Sequence, residues 1–378
     1  MNRAQTQQPI RARRRREPGE PPSGPRPRAR RLRLPEQTLA RHLLLALVFG
    51  VLLFLLSISL GAFDNLRMAS AAYFFTALAG LTVLTGLNGQ ISLGHGALMA
   101  VGAYSTALLV SRAGWPLFPT MVAATVITAL AGVLVGAAAS RLRGPYLAGA
   151  TLALAVGLPG LADRYPGAFG GENGIDVAPP TPPSSLGATF PLERWEAWIA
   201  CTGALVVYVL LANLMRGRVG RTFRAIRDDE VAAQLAGLNV ARVQILAFVI
   251  SAACAGLAGA SLVVVTQIAA PGAFPLELSL SLLTGIVLGG LGSLAGAVWG
   301  ALALVFLPQW STDVAQSFSL SNDVQANLPL ALYGLVLIGV VVAAPQGIQG
   351  ALRGIARLAW PRGRREPSTH QEEGDDAN

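Results

Sequence analysis

The sequence predicts an all-α, polytopic membrane protein with about ten transmembrane helices, some of them broken or re-entrant. Only 13% of the 378 residues are charged and 53% are hydrophobic, whereas soluble chains carry about a quarter charged residues. Uncharged runs recur along the chain, and most of them approach the ~20 residues that cross a bilayer as a helix. The arginine clusters between these runs also fall on one side of the membrane when the first run starts in the cytoplasm.

Residues 1–40 differ from the rest of the chain. They contain eleven Arg and three acidic residues, punctuated by Pro and Gly. Such a segment cannot bury a core, so we predict a disordered cytoplasmic tail that touches anionic membrane lipid. Aromatic side chains for base stacking are absent before Phe49, and we therefore expect no nucleic-acid partner.

Residues 41–350 form the predicted transmembrane domain. The run 278–312 has 35 residues without a charge; as one helix it would measure about 52 Å, far more than a bilayer core of about 30 Å. It must break, and Gly289, Gly290 and Gly292 indicate where. The ten predicted spans lie in the runs 43–63, 68–87, 96–111, 113–140, 144–162, 197–215 and 243–276, in the two halves of 278–312, and within 324–352.

The arginine clusters orient these spans. If the chain starts in the cytoplasm, ten crossings place the four arginine clusters on the same side of the membrane; they are the N-terminal tail, residues 141–143, the loop 216–242 and residues 353–365. Short Arg-rich loops stay in the cytoplasm, so this side is the cytoplasmic one. Both termini are then cytoplasmic, with 351–378 as a C-terminal tail. The loops 163–196 and 311–327 lie outside. This topology predicts a multi-pass membrane protein.

Several functions are excluded by composition. All 29 basic residues are Arg, so the chain lacks the lysine of a phosphate-binding P-loop and of Schiff-base chemistry. Three His and two Cys are too few for most metal sites, and we expect neither metal nor cofactor. No G-x-S-x-G motif surrounds a serine, so an intramembrane enzyme is disfavoured. The spans also lack a central carboxylate for ion coupling; transport would be passive or driven by another polypeptide.

The motif NGQISLGHG (88–96) interrupts two apolar runs. Non-helical backbone at membrane depth is tolerated where protein or a water-filled cavity satisfies it, and transporters line substrate sites in this way. One interpretation places Asn88, Gln90, Ser92 and His95 along a translocation path. The alternative is an ordinary cytoplasmic turn, with His95 as a packed or interfacial histidine.

Small residues recur at helical spacing. Gly292, Gly296 and Gly300 lie at every fourth position, which lets helix backbones approach closely in lipid. Together with Gly289 and Gly290 they are predicted helix-break and packing residues. The same pattern also suits helices that slide against each other, and the sequence does not separate these two roles.

Two long loops have possible partners. The sequence of the cytoplasmic loop 216–242 predicts short helices from Arg221 onward. The loop is either a docking surface or a solvated charged loop. The external loop 163–196 either contacts a soluble external protein or caps the pore.

At these positions the sequence resembles the LivM-type permease subunits of ATP-driven importers for branched-chain amino acids. The matching segments run in the family's order over residues 65–350. They are GLNGQISLGHGALMAVGAY (86–104), RLRGPYLA (141–148), GENGI (171–175), the segment from RTFRAIRDDEVAAQLAGLNVAR (221–242) to residue 260, GGLGSLAGA (289–297) and PQG (345–347).

The resemblance implies partners that supply the missing energy. Such a permease pairs with a second, homologous permease; two cytoplasmic ATPase subunits bind beneath, and an external binding protein delivers the amino acid. Residues 230–237 resemble the loop by which importer permeases dock on their ATPases. The implied coupling residues are Arg224, Asp228, Glu230, Ala233 and Gly237, and the implied path residues are Asn88, Gln90, Ser92, His95 and Tyr104.

The function predicted by this resemblance is import of branched-chain or related hydrophobic amino acids by alternating access, without covalent chemistry in this subunit. Related permeases carry urea and short-chain amides, and that substrate class is an alternative. A passive channel, which would move solute without an ATPase partner, is the other.

Overall fold

The computed structural model of the chain describes residues 35–142, 145–187, 189–317 and 346–359, with isolated positions between 328 and 344. In this part of the chain, eight helices are long and apolar enough to cross a membrane, and the shorter helix His95–Ser111 is also apolar. The predicted all-α, polytopic membrane fold is confirmed. Most of both predicted tails lies outside the described residues, and the tenth predicted span, 324–352, is described only at isolated positions before residue 346.

The described elements follow the predicted order. The helices are α1 (Pro35–Ser59), α2 (Ala62–Leu81), α3 (His95–Ser111), α4 (Leu117–Ala139), α5 (Pro145–Arg164), α6 (Pro166–Phe169), α7 (Leu192–Arg216), α8 (Arg218–Asp228), α9 (Glu230–Leu235), α10 (Val240–Thr266), α11 (Leu276–Gly289), α12 (Leu294–Ser317) and α13 (Gly347–Ala359), and the strands are β1 (Ile175–Asp176) and β2 (Ile268–Ala269). Nine of the ten predicted spans correspond to α1–α5, α7 and α10–α12.

Prolines define the start of several spans. α4, α7 and α11 each begin directly after a proline in extended conformation, namely Pro116, Pro191 and Pro275. Proline lacks the N–H that a first helical turn leaves unpaired, and its fixed φ is compatible with a helix entry. These prolines therefore set where the chain enters the bundle.

The run 278–312 breaks where the glycines predicted. α11 ends at Gly289 and α12 begins at Leu294. Gly290 and Gly292 between them have φ of +119° and +76°, a region that side-chain-bearing residues rarely adopt. The run 243–276 does not form one continuous helix. α10 ends at Thr266, and the chain then forms β2 and a 3₁₀ turn at Pro271–Ala273.

The small sheet was not predicted from sequence. β1 comes from the loop 163–196 and pairs antiparallel with β2, with Ile175 opposite Ala269 and Asp176 opposite Ile268. The backbone N–H of Val177 also donates to the carbonyl of Gln267 at 2.8 Å. The loop is therefore tied to the connection between α10 and α11.

Two helices form the centre of the bundle. α2 and α10 are largely buried along their apolar stretches, whereas α1 is mostly exposed. α10 packs against α2, α3 and α4, and α1 packs on α7. The exposed apolar side chains of α1, such as Leu44, Leu47 and Leu52, suit a lipid-facing helix.

Glycine allows α3 and α10 to touch through their backbones. A Cβ added to Gly259 of α10 would overlap the Met99 carbonyl and lie 3.0 Å from the Ala103 nitrogen. A Cβ on Gly102 of α3 would lie 2.5 Å from the Gly256 Cα. Small residues at such contacts let helices approach closely where no hydrophobic effect drives association.

We expect Gly259→Val to lower the free energy of unfolding of the detergent-solubilised chain by about 1–3 kcal/mol, because the new side chain overpacks the contact with α3. Thermal melting followed by tryptophan fluorescence would measure the change. Gly157→Val is the matched control, since an added Cβ there meets nothing within 4 Å and the change in helix propensity is the same. Equal melting of both variants would contradict this packing interpretation.

Candidate functional site

The helical pair α2–α3 is interrupted at the motif 88–96. α2 continues as a π-helical turn over Thr82–Leu87, and the chain is non-helical until α3 begins at His95. Gly89 has φ of +77° within this break. Single π-turns inside helices are frequent at functional sites, so the sequence-predicted break is also a local departure from regular hydrogen bonding.

Neighbouring side chains satisfy much of this non-helical backbone. The Leu93 N–H donates to Thr151 Oγ1 of α5 at 3.0 Å, and the Gly96 N–H donates to Ser279 Oγ of α11 at 3.0 Å. The Thr85 hydroxyl donates to the Gln90 carbonyl at 2.9 Å. The break is therefore enclosed by α5 and α11, as non-helical backbone in a membrane protein requires.

Two amide side chains in the break are buried without partners. Asn88 is 3% exposed and Gln90 is 7% exposed. Three of their atoms have no hydrogen-bond partner among the described residues: Oδ1 and Nδ2 of Asn88, and Oε1 of Gln90. Buried polar groups are nearly always paired with protein or water, so these amides mark a place where water or a solute is expected to bind.

Ser92 and His95 are used within the protein. Ser92 Oγ accepts from the Gly94 N–H at 3.3 Å. His95 is fully buried; its Nε2–H donates to the Ala77 carbonyl at 2.9 Å, and Ser251 Oγ lies 3.5 Å from Nδ1. A neutral ring protonated at Nε2 fits both neighbours, which places His95 as a link between α2, α3 and α10.

Tyr104 lies just past the middle of α3, which runs from His95 to Ser111. Nine residues separate it from His95, which corresponds to about 14 Å along a helix. Its ring is 5.4 Å from that of Phe169 and 6.5 Å from that of Phe274, and its hydroxyl has no partner among the described residues. The five predicted path residues thus divide between the segment 88–95 and the second half of α3.

Several further bonds join the chain at the Tyr104 end. Ser111 Oγ donates to the Asp176 carbonyl at 2.7 Å, and Gln267 Nε2 donates to Glu196 Oε1 at 3.0 Å. Together with the β1–β2 pair, they bind the loop 163–196 across the ends of α3, α7 and α10. Sequence reasoning missed this arrangement because its donors and acceptors are mostly backbone.

The loop 216–242 folds as α8 and α9. Asp229 caps α9 by accepting from the backbone N–H groups of Val231 (2.9 Å) and Ala232 (3.0 Å), and Asn239 caps α10 in the same way. Such caps satisfy the first N–H groups of a helix. The two helices and the start of α10 share a small core, formed by Ile226, Ala233 and Val240.

The outer face of α9 is apolar and exposed. Val231 is 66% exposed and Leu235 is 86% exposed. Of the predicted coupling residues, Ala233 points into the loop's own core, Glu230 begins α9, and Gly237 follows α9 with φ of +85°. Arg224 and Asp228 lie on α8. Exposed apolar side chains on a charged loop are a feature of contact surfaces.

Arg227 was not among the predicted residues. Its Nη1 donates to the Gly86 carbonyl at 2.8 Å, and its Nε and Nη2 donate to Asp228 Oδ1 at 3.2 and 3.0 Å. It therefore joins α8 to the end of the π-turn. Its carbonyl partner lies 141 residues away in sequence and has no side-chain signature, so no sequence pattern indicates the contact.

The predicted glycines converge on the same end of the bundle. A Cβ on Gly86 would lie 2.8 Å from the Gly292 Cα, and Gly347 meets Gly290 equally closely. Gly289 packs on Gly296 and Gly300. The end of α2, the α11–α12 break and the start of α13 therefore contact each other through backbone.

An apolar groove elsewhere has a different character. It encloses about 810 Å³ between α4, α7 and α10, and its walls are aliphatic and aromatic apart from hydroxyls such as Thr125 and Thr202. A zwitterionic solute would leave its charges unpaired there. The groove contains none of the predicted path residues, so we do not assign it to the site. Among the described residues, no three His, Cys, Asp or Glu side chains come together as metal ligands.

Known proteins provide a comparison for this geometry. Residues 62–343 match the family model described as branched-chain amino acid transport system / permease component. The chain is 32% identical over 292 residues to the high-affinity branched-chain amino acid transport system permease protein LivM of Salmonella typhimurium, covering 71% of this chain and 66% of that protein. It thus spans just under two thirds of that relative's length.

Other relatives extend the comparison. The chain is 28% identical over 286 residues to LivH of Escherichia coli, covering 72% of this chain and 89% of LivH. It is 30% identical over 326 residues to the autoinducer 2 import system permease protein LsrC of Enterobacter sp., covering 82% and 87%. No solved structure matches the chain. With its membrane-spanning helices, the chain is a multi-pass protein of the inner membrane, and it belongs to the family of permease components of branched-chain amino acid transport systems.

Proposed function

We propose that this chain is one of two homologous permease subunits of an ATP-driven importer that moves branched-chain or related hydrophobic amino acids across the bacterial inner membrane by alternating access. Two cytoplasmic ATPase subunits would dock on α8 and α9, and an external binding protein would deliver the solute. The observation that carries the proposal is the exposed apolar face of α9, located where the inner break of the bundle meets α8.

The charge distribution supports this orientation. Apart from Glu36 in the first turn of α1, the acidic residues of the described spans lie near the end that carries the β1–β2 pair; they are Asp64, Asp163, Glu193, Glu196, Glu277 and Asp313. The opposite end carries the arginines of residues 216–242. Arg-rich short loops stay in the cytoplasm, so α8 and α9 would face the cytoplasmic ATPases and the loop 163–196 would face outside.

The same distribution favours an external energy source. A proton- or ion-coupled carrier needs an ionisable group near the middle of the membrane. The acidic residues of the described spans are near helix ends, and the buried His95 has both ring nitrogens next to protein groups. Energy supplied by ATP hydrolysis in partner subunits fits such a bundle better than ion coupling does.

Substrate recognition would rest on neutral polar groups. The unpartnered amides of Asn88 and Gln90, and the hydroxyl of Tyr104, offer hydrogen bonds without a fixed charge. They suit a zwitterionic amino acid whose charged groups pass through a wet path, and they also suit urea or a short amide. The similarity to LsrC, the permease of an autoinducer 2 import system, shows that members of this group differ in solute.

Replacing Leu235 tests the docking surface. We expect Leu235→Asp to reduce co-purification of the ATPase subunits and ATP-dependent leucine uptake by about tenfold or more, because a charge would then face the apolar contact. The chain itself should melt as before, since Leu235 is 86% exposed. Leu186→Asp, an exposed leucine at the opposite end, should retain the ATPase subunits. Full uptake by Leu235→Asp, or uptake without any ATPase, would contradict the proposal, and the second result would indicate a passive channel.

Replacing Asn88 separates function from stability. Asn88→Leu removes a buried, unpartnered amide and keeps the number and branching of the side-chain heavy atoms, so the melting temperature should stay level or rise, while leucine uptake should fall about tenfold or more. The matched control is Asn65→Leu. Asn65 Nδ2 donates to the carbonyls of Ser57 (3.2 Å), Leu60 (3.1 Å) and Gly61 (3.0 Å). Asn65→Leu should therefore melt at a lower temperature than the unsubstituted chain. Unchanged uptake by Asn88→Leu would remove Asn88 from the path.

A further inference from the structure

The guanidinium of Arg227 connects two parts of the chain that have separate roles in the proposed importer. Its Nη1 donates to the Gly86 carbonyl at 2.8 Å. Gly86 lies in the π-turn Thr82–Leu87, and the last carbonyls of a helix have no partner within the helix. A cation beside them is favoured both by the hydrogen bond and by the helix dipole. Arg227 thus caps α2 from a different element.

Asp228 fixes the direction of this contact. Its Oδ1 accepts from both Nε and Nη2 of Arg227, at 3.2 and 3.0 Å. These two bonds hold one side of the guanidinium, and they leave Nη1 for the Gly86 carbonyl. Because the arginine fork is planar and rigid, an orientation set by Asp228 is transmitted to Nη1.

The backbone around the contact leaves little free space. A Cβ on Gly89 would lie 2.8 Å from Arg227 Cγ, and one on Gly86 would lie 2.8 Å from the Gly292 Cα. The arginine stem therefore rests on the chain just after the π-turn, while the other side of that turn rests on the α11–α12 break. A displacement of α8 has to move Arg227 against this backbone.

We propose that Arg227 is the positioning residue that transmits movement of the ATPase-docking helices to the break 88–94, with Asp228 orienting it. The inference rests on the proposed function, because the movement would come from ATP-driven closure of the docked subunits. Asn88 and Gln90 lie within the segment that Arg227 holds, so a shift of α8 would change the access of these amides to the inner side.

The test uses the full complex of both permeases and the ATPase subunits in lipid nanodiscs. Ile91 is 54% exposed within the break, and the native Cys201 and Cys254 are buried and can be replaced by alanine. Ile91→Cys then reports on the break through its rate of reaction with a maleimide, measured with and without trapping of the ATPases by ATP and vanadate.

Trapping should change the maleimide rate about tenfold when Arg227 is present, and Arg227→Met should bring the ratio of the two rates close to one. The methionine keeps an apolar stem but loses every donor. Arg227→Lys, which keeps the charge and one donor group, should give an intermediate ratio. Arg67→Met is the control: it removes an exposed ion pair with Asp64 at the opposite end of α2 and should retain the full change.

Co-purification and ATP hydrolysis distinguish the outcomes. The inference predicts that Arg227→Met keeps its ATPase subunits and hydrolyses ATP but transports about tenfold less leucine per ATP. An unchanged rate ratio and normal transport in Arg227→Met would overturn it. Loss of the ATPase subunits from Arg227→Met would also overturn it, since Arg227 would then be a docking residue. If the unsubstituted complex binds no ATPase, the proposed function itself fails.

Discussion

Every backbone N–H and C=O that leaves a helix inside the membrane needs a partner within the protein, and the architecture of this chain depends on that requirement. The break 88–94 and the first turn of α3 meet it with hydroxyls from distant helices: Thr151 of α5 accepts from Leu93, and Ser279 of α11 accepts from Gly96. The Gly86 carbonyl, at the end of the π-turn, meets it with the Arg227 guanidinium. These bonds join the break and its flanking turns to α5, α11 and α8.

Close backbone contacts complete this junction. Where Gly86 meets Gly292 and Gly290 meets Gly347, no side chain lies between the segments. A side chain can change rotamer to absorb a displacement, but two backbones in contact cannot, because packed interiors are dense and hardly compressible. Movement at one of these segments is therefore passed to the next one.

The sequence was sufficient for the fold because membrane insertion depends on quantities that can be counted along the chain. Uncharged length located nine spans, and Gly289–Gly292 located the α11–α12 break. The same reasoning found the break at Asn88, since polar residues and glycines interrupt an apolar pattern. It did not find Arg227 or the β1–β2 pair. Both depend on backbone acceptors far away in sequence. Every residue has a backbone carbonyl, so residue identity does not indicate which carbonyl accepts a bond.

His95 illustrates the same limit within the site. Its position in an apolar run allowed either a relay or a packed residue, and the difference lies in what surrounds the ring. The Ala77 carbonyl and the Ser251 hydroxyl occupy its two nitrogens, and neither partner could be paired with His95 from spacing alone. Asn88, seven residues earlier, differs from His95 because its amide has no hydrogen-bond partner among the described residues.

The two ends of the bundle are held by different kinds of contact, and this difference bears on how a solute could pass. At the end that carries the β1–β2 pair, Phe169 and Phe274 flank Tyr104. They come from segments that the β1–β2 pair and the Val177–Gln267 bond join directly, so a path beside Tyr104 requires those segments to move together or their backbone bonds to break. At the opposite end, the Arg227–Gly86 bond is the one side-chain hydrogen bond from α8 to the π-turn that the described residues show. Breaking several backbone bonds costs more than displacing one charge-assisted bond of a partly exposed arginine, so the Arg227–Gly86 bond is the contact that a modest force on α8 can displace.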